Sequence, residues 1–382
     1  MVDVTIVQRI LPHYRVALFS TLAELLETRG VRLRVLYGQE QSHSVPRSLS
    51  VEDAWAIRVE NRYWMHGRLV WQPWLPLFHA SDLNIAEHAN SLALAHRLVW
   101  HRVTSQRGRL AFWGHGCNLR ARPSVRENYK QWLARHVDWW FAYTDPSADT
   151  IAAAGFPRDR ITVVNNSTEV RCDDDAHASV GSNGSPRVAI FCGGLYADKR
   201  LDFLVAACRA IRKRLPDFEL IVIGEGPSQG VIEAAAAEHA WIHYVGPRYG
   251  NALVPYLRRA QVCLMPGLVG LAVIDSFAAG VPMVTTDLPI HSPEIAYLES
   301  GVNGLVMPNT LEDYVEGVCA LLSHPSWLQR LRAGCAQAAR RYSLSAMAQR
   351  YAEGIDHCLS QERRRSWRPT RLRVSDTLTT LQ

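Results

Sequence analysis

The chain has 382 residues and no C-x-x-C pair. Its eight cysteines, Cys117, Cys172, Cys192, Cys208, Cys263, Cys319, Cys335 and Cys358, stand apart, several of them in apolar runs. That pattern excludes a cysteine zinc site and a disulfide framework, and fits reduced, buried thiols in a cytoplasm. A long hydrophobic run is also missing. The most continuous apolar stretch, Val262–Ile274, holds a proline and two glycines. It falls short of the ~20 residues a membrane-spanning helix needs. The N-terminus, MVDVTIVQRI, reads as a strand and has no basic n-region before an apolar core, so no signal peptide is expected. No G-x-G-x-x-G follows that strand, which removes the Rossmann dinucleotide fingerprint.

What is present describes a soluble α/β protein. Hydrophobic residues make up 48% and charged residues 20%, a globular balance. The length exceeds one ordinary core, so two domains are expected. The net charge of +6 is modest, but it gathers in arginine-rich stretches suited to anionic lipid or phosphorylated substrates.

One stretch organises the rest: VCLMPGLVGLAVIDSFAAGVP, residues 262–282. Val262–Met265 has the length of a buried parallel strand. Pro266–Gly270 breaks the pattern. Leu271, Val273, Ile274, Phe277 and Ala278 then recur at helical spacing up to Gly280, a C′ glycine. Strand, glycine loop and helix in that order form an anion site. The N–H groups of Gly270 and Leu271 would face a phosphate, and Asp275, about one turn on, could take ribose hydroxyls. A buried strand and helix without ligand would give the same pattern.

Strand and helix alternate on both sides of this stretch. Val2–Val7, Val31–Leu36, Leu83–Ala86, Leu110–Trp113, Trp139–Tyr143 and Ile161–Val164 read as strands of a first domain. The segment Gln8–Arg15 reads as a polar loop before a helix from Val16 to Thr28. It places His13 and Arg15 at the crevice where doubly wound sheets bind ligands. His115 lies between Gly114 and Gly116 after a strand, a setting that aims an imidazole into a crevice. Ser124–Arg135 reads as a basic helix. Residues 60–80 carry Tyr63, Trp64, Trp71, Trp74 and Phe78 beside His66, Arg68 and His79. Such a segment suits a membrane interface, a sugar acceptor, or equally a satellite core.

The composition of Val170–Pro186 is that of a linker. After it the pattern restarts: Val188–Phe191, Leu220–Ile223, Ile242–Val245, Val281–Thr285 and Gly304–Met307 read as strands. Helices follow from Leu201, Leu311 and Trp327. A last helix, Ser343–Leu359, is long enough to cross back to the first domain. The tail RRRSWRPTRLR, Arg363–Arg373, is basic with one tryptophan and reads as disordered, suited to anionic lipid or simply solvated. The expected plan is 1–170 as an acceptor-side domain, 171–186 as linker and 187–342 as a donor-binding domain. A crossover helix at 343–360 and a tail at 361–382 complete it.

Two Rossmann-like domains with a returning helix resemble the GT-B architecture, two α/β domains facing each other across a cleft. FCGGLYADKRLDFLVAA resembles the first motif of family-4 retaining glycosyltransferases, IGEGP its second glycine turn, and PGLVGLAVIDSFAAGVPMVTT its E-x7-E block. WGHG resembles the place where such enzymes carry a histidine near the donor sugar. The resemblance covers residues 186–345 by motif and the N-terminal half by topology.

It implies a retaining, metal-independent transfer of a hexosyl-type sugar from a nucleotide-sugar to a glycan or lipid-linked acceptor, in cell-surface polysaccharide or glycoconjugate synthesis. No cofactor, metal or nucleic acid is expected. The separate cysteines point to a cytoplasmic protein, and the missing membrane span, the Trp-rich segment 63–78 and the basic tail to one that docks peripherally on the inner face of the membrane, an anionic surface. His115, Lys199 and Arg200 become catalytic. Gly193, Gly194, Glu225, Gly267, Gly270, Leu271 and Asp275 become donor-binding, with His13 and Arg15 on the acceptor side. This chain departs from the motif in three places. Gly267 stands at the first motif Glu, Asp275 at the second, and Gly194 at the usual Arg. Lys199 keeps the motif Lys, and Arg200 is expected to supply the missing cation for the diphosphate. A sugar-nucleotide epimerase of the same fold, or a catalytically inactive GT-B binding protein, are the rival readings.

Overall fold

The computed structural model describes residues 1–40, 51–89, 91–105, 108–116, 129, 132–170 and 186–363. The predicted linker interior, most of the predicted helix Ser124–Arg135, and the tail beyond Arg363 lie outside these residues.

Two parallel sheets carry the chain. The first is built from β1 (Val2–Ile10), β2 (Val31–Gly38), β3 (Ala56–Val59), β6 (Leu83–Glu87), β7 (Arg109–Gly114), β8 (Trp139–Ala142) and β9 (Ile161–Val163). Its order is β3-β2-β1-β6-β7-β8-β9. The second uses β10 (Arg187–Cys192), β11 (Phe218–Ile223), β12 (Ile242–Gly246), β13 (Val262–Met265), β14 (Met283–Thr286) and β15 (Gly304–Met307), ordered β12-β11-β10-β13-β14-β15. In each sheet the strand order reverses beside the first strand of the domain. β1 sits between β2 and β6, and β10 between β11 and β13. Ligands of doubly wound sheets bind outside the carboxyl ends of strands at such reversals. A small antiparallel pair, β4 (Arg62–Trp64) and β5 (Leu69–Trp71), stands outside both sheets.

Strands buried on both faces explain the continuous apolar runs: Val262–Met265 and Trp139–Ala142 are buried throughout. The helix Leu344–Ser360 belongs spatially to the first domain. Ser343 caps its start, accepting from the Ala346 N–H. Its Met347, Ala348, Tyr351, Ala352 and Ile355 join the core of Trp113, Trp139 and Phe141. Tyr351 stacks on Phe141 with ring centroids 4.5 Å apart. Arg29 pairs with Asp356 from the other side. Among the described residues no helix is long and apolar enough to cross a membrane. The six described cysteines are free and buried.

The predicted loop Gln8–Arg15 is the main correction. β1 runs on to Ile10, and the helix His13–Glu27 begins three residues before the predicted start. Pro12 supplies the turn: its fixed φ of −64° suits the position before a helix, where no N–H is needed. His13 and Arg15 therefore sit in the first helical turn, where spacing of two sends their side chains apart.

Three consecutive side chains tie the domains together. Asn166 donates to the Glu294 carboxylate at 2.7 Å, Ser167 to the Tyr342 carbonyl at 2.5 Å, and Thr168 to Asp275 Oδ1 at 2.5 Å. Tyr297 returns across the seam to the carbonyls of Tyr143 and Asn166.

Candidate functional site

A cavity of about 400 Å³ opens at the carboxyl ends of β10, β11 and β13. That volume lies within the range of small-molecule sites. Cys192, Gly193 and Gly194 line it after β10, Gly224 and Glu225 after β11, and Gly270, Leu271, Ala272 and Asp275 after β13. Arg248, Tyr249 and Gly250 line one side; His13, Tyr14 and residues 168–170 close it from the first domain.

The second domain's part of this cavity is made by backbone packing. A Cβ at Gly224 would meet the Gly193 carbonyl oxygen at 1.9 Å, so the two glycine turns rest backbone on backbone. Lys199 ends the 3-10 turn Ala197–Lys199, buried at 9% exposure. Its ammonium donates to the Leu268 carbonyl in the loop after β13. Burial lowers its pKa to about 8, because a desolvated ammonium is disfavoured. An arriving anion offsets that cost, so Lys199 is a cation held ready for one.

Asp275 lies in the cavity wall. Burial raises its pKa to about 6, while the Thr168 hydrogen bond works the other way. Oδ1 is engaged by Thr168, so the carboxylate is also part of the domain seam.

Four expected residues sit elsewhere than predicted. Arg200 does not line the cavity. It adopts a left-handed backbone (φ 56°) at the start of its helix. Its guanidinium bonds Asn309 Oδ1 at 2.5 Å and lies 4.2 Å over the Phe203 ring, turned away from Lys199 by that backbone reversal. Gly267 does not line the cavity either. A Cβ there would meet the Asp198 carbonyl oxygen at 2.3 Å and the Lys199 carbonyl carbon at 2.5 Å. The chain keeps glycine where the motif has Glu because the β13 loop lies directly on the Lys199 turn. Arg15 is buried at 4% exposure, its Cζ 4.1 Å over the Trp113 ring, and serves the first domain's interior. His115 is half-buried at the end of β7, its ring 6.1 Å from that of Tyr143 and outside the cavity lining. Of the two predicted first-domain groups His13 and His115, the first is the one at the cavity.

Sequence reasoning passed over several residues. Arg248 provides the second cation of the cavity lining. Tyr249 donates to Glu225 Oε1 at 2.6 Å and packs on the His13 ring at 4.6 Å, joining the two domains over the cavity. Both follow a strand end, the one available signal. His291 fixes the glycine loop. Its Nδ1 accepts from the Val269 N–H at 3.0 Å, and its Nε2 contacts the Thr286 carbonyl at 2.7 Å. Those partners require the neutral tautomer with the proton on Nε2. Burial lowers its pKa and thereby favours that neutral form. The Ser292 N–H also reaches the Val269 carbonyl, so residues 268–270 are held at both ends.

Comparison with known proteins follows the same division. Residues 186–324 match the family model described as glycosyl transferases group 1. Over 269 residues the chain is 25% identical to a glycogen synthase of Mycobacterium tuberculosis. That match covers 68% of this chain and 63% of the relative, so the chain spans less than two thirds of the relative's length. A sucrose-phosphate synthase from Thermosynechococcus elongatus superposes with a TM-score of 0.68 at 14% identity, covering 93% of this chain and 98% of that one. Anabaena Alr3699/HepE, solved in complex with UDP, superposes at 0.66 and 16% identity, over 93% of this chain and 100% of the other. The chain has the GT-B fold, with two Rossmann-like domains, and its second domain carries the group 1 glycosyltransferase signature.

Proposed function

We propose that this chain, of GT-B fold and with a second domain matching group 1 glycosyl transferases, moves a hexosyl group with retention from a nucleoside-diphosphate sugar to a glycan or lipid-linked acceptor. The observation that carries the reading is the cavity at the strand-order reversal of the second sheet, with buried Lys199 in its lining.

As the bond between sugar and diphosphate lengthens, negative charge grows on the departing phosphate. Lys199 stands in a water-poor site where a fixed cation stabilises that charge more than in bulk water. Its pKa, lowered by burial, rises again as the anion arrives, so binding locks the proton on the ammonium. Arg248 adds a second cation at the more exposed side. Gly270 and Leu271 line the same cavity, where their N–H groups would meet a phosphate, and His291 keeps their loop in place through Val269. Glu169, Glu225 and Asp275 are the carboxylates of the lining available to sugar or ribose hydroxyls. In a retaining transfer from the same face, the departing phosphate itself takes the acceptor proton, so no side-chain base is required. His13 is the histidine at the first-domain wall of the cavity, where an acceptor would enter.

The test is a binding screen with UDP, GDP and ADP and their sugars, followed by transfer assays with the stabilising donor. A ligand at a hundredfold its Kd should stabilise the fold by about 2.7 kcal/mol. Transfer to an acceptor with retained configuration supports the reading. A flat response to every nucleotide, or release of an epimer without acceptor, overturns it.

A further inference from the structure

We propose that the β4–β5 hairpin and the neighbouring face of the helix Ala93–Ser105 form a docking surface for an anionic lipid bilayer. The proposal deepens the transferase reading, on which it rests for the lipid-linked acceptor.

The hairpin has two unlike faces. Arg62 opposes Trp71, Tyr63 opposes Val70, and Trp64 opposes Leu69. Side chains alternate along a strand, so Tyr63 and Val70 share one face and the other four share the second. The first face is committed inward. Val70 is fully buried, its N–H bonds the Ser91 carbonyl at 2.7 Å, and the Tyr63 hydroxyl donates to the Gln39 carbonyl at 2.6 Å. The second face is not: Trp64 is 59% exposed, Trp71 is 41% exposed, and Arg62 is exposed. At the tip, Met65 is 69% exposed and both Met65 and His66 have positive φ (52° and 56°). An apolar side chain held out in a left-handed turn costs backbone strain that glycine or asparagine would avoid. Such strain is retained where the side chain itself is needed.

The surface continues across the adjoining segment. Arg97 lies 4.5 Å over the Trp74 ring, and Trp74 packs on His79 and His101. Trp100, one residue before His101, is 51% exposed.

The charge selects the partner. On the hairpin and the helix, Arg62, Arg68 and Arg97 are exposed. Exposed Trp64, Trp71 and Trp100 together with exposed Arg62, Arg68 and Arg97 match the interface of an anionic membrane, where amphipathic rings sit at headgroup level and each cation gains from the surface potential. The hairpin is also tied to the site. Asn61 donates to the Arg9 carbonyl at 2.7 Å, and Gln72 to the Gln8 carbonyl at 3.0 Å. Those carbonyls close β1, just before His13 at the cavity wall. A bilayer held by the hairpin would lie close to the acceptor side of the cleft.

The experiment is flotation of the full chain with vesicles of phosphatidylcholine alone, or with phosphatidylglycerol added, at low and high salt. Brominated lipid quenches tryptophan fluorescence in parallel. Phosphatidylglycerol-dependent, salt-sensitive binding with quenching is expected. A Trp64→Ser/Trp71→Ser variant should bind about tenfold more weakly and lose most of the quenching. Arg62→Ala/Arg68→Ala should lose roughly fivefold per arginine. Neither pair touches the cavity, so nucleotide binding should stay at the parental level. Trp367→Ser, in the C-terminal basic run, controls for the tail. Vesicle binding lost only in Trp367→Ser would overturn the assignment. So would binding indifferent to lipid charge, or equal binding to a soluble acidic polysaccharide or to nucleic acid. Vesicle binding is read without donor or acceptor, so its failure is separable from failure of the transferase reading.

Discussion

The two walls of the cavity are built in different ways. The second-domain wall rests on backbone, the glycine turns after β10 and β11 and the loop after β13, on which Lys199, Glu225, Arg248, Tyr249 and Asp275 are set. The first-domain wall is side chains on a helix start, His13 and Tyr14, with Thr168 from the seam. Backbone-made sites are marked by glycine and by strand-loop-helix order, which the sequence displays. Side-chain sites depend on which way a residue faces, which shifts when a helix starts three residues early.

Three experiments probe this contrast. The largest effect is expected at Gly267. An alanine there places a carbon against the Asp198 and Lys199 backbone, with no flexible side chain to yield. The cost should be about 2–3 kcal/mol of stability, as for overpacked sites, together with weaker nucleotide binding, since the Lys199 turn must move. A Gly267→Ala protein with parental melting temperature and nucleotide affinity would show that the backbone contact does not define this wall.

Lys199 and Arg200 come next, because adjacency in the chain suggests one role and the structure separates them. Lys199→Ala should weaken nucleoside diphosphate binding by at least about tenfold, the loss of a charge-assisted hydrogen bond. Arg200→Ala, whose guanidinium faces Asn309 and Phe203, should leave that affinity within about twofold. Isothermal titration of the two variants decides the matter. Equal losses would return Arg200 to the site.

The smallest effect concerns Asp275 and pH. Its folded pKa, about 6, lies above its unfolded value near 3.8. A raised pKa means stability that is full below the unfolded value and lost as pH rises through the folded one. Asp275→Asn should therefore be more stable than the parent at pH 7.5 and no more stable at pH 3.5. Urea unfolding of both proteins at the two pH values checks this. A gain that persists at pH 3.5 would place its origin outside the carboxylate's ionisation.

Much of the architecture is legible in the amino-acid pattern. The strand Val262–Met265 and the helix Leu201–Arg214 fall where periodicity puts them, because buried parallel strands and amphipathic helices carry their environment in local pattern. The C′ role of Gly280 holds as well, with φ 65°. The β4–β5 hairpin, by contrast, is not distinguishable within residues 60–80. Its strands are three residues each, too short for alternation to declare itself.

Local pattern is enough for the α/β alternation, the two-domain plan, the glycine turns and the lysine between them. Each is a matter of near neighbours: a strand's burial, a turn's need for a missing Cβ, a helix's apolar stripe. Tertiary contacts were needed to turn Arg200 away and bring Arg248 to the cavity. They also place Arg15 in the interior while His13 meets Tyr249, and set His291 to pin a loop more than twenty residues earlier in the chain. Those outcomes depend on which segments touch across the sheet ends and the domain seam. A side chain's partner there is set by contacts between residues tens to hundreds of positions apart, as in Thr168 on Asp275 and Asn166 on Glu294. No local pattern encodes such contacts.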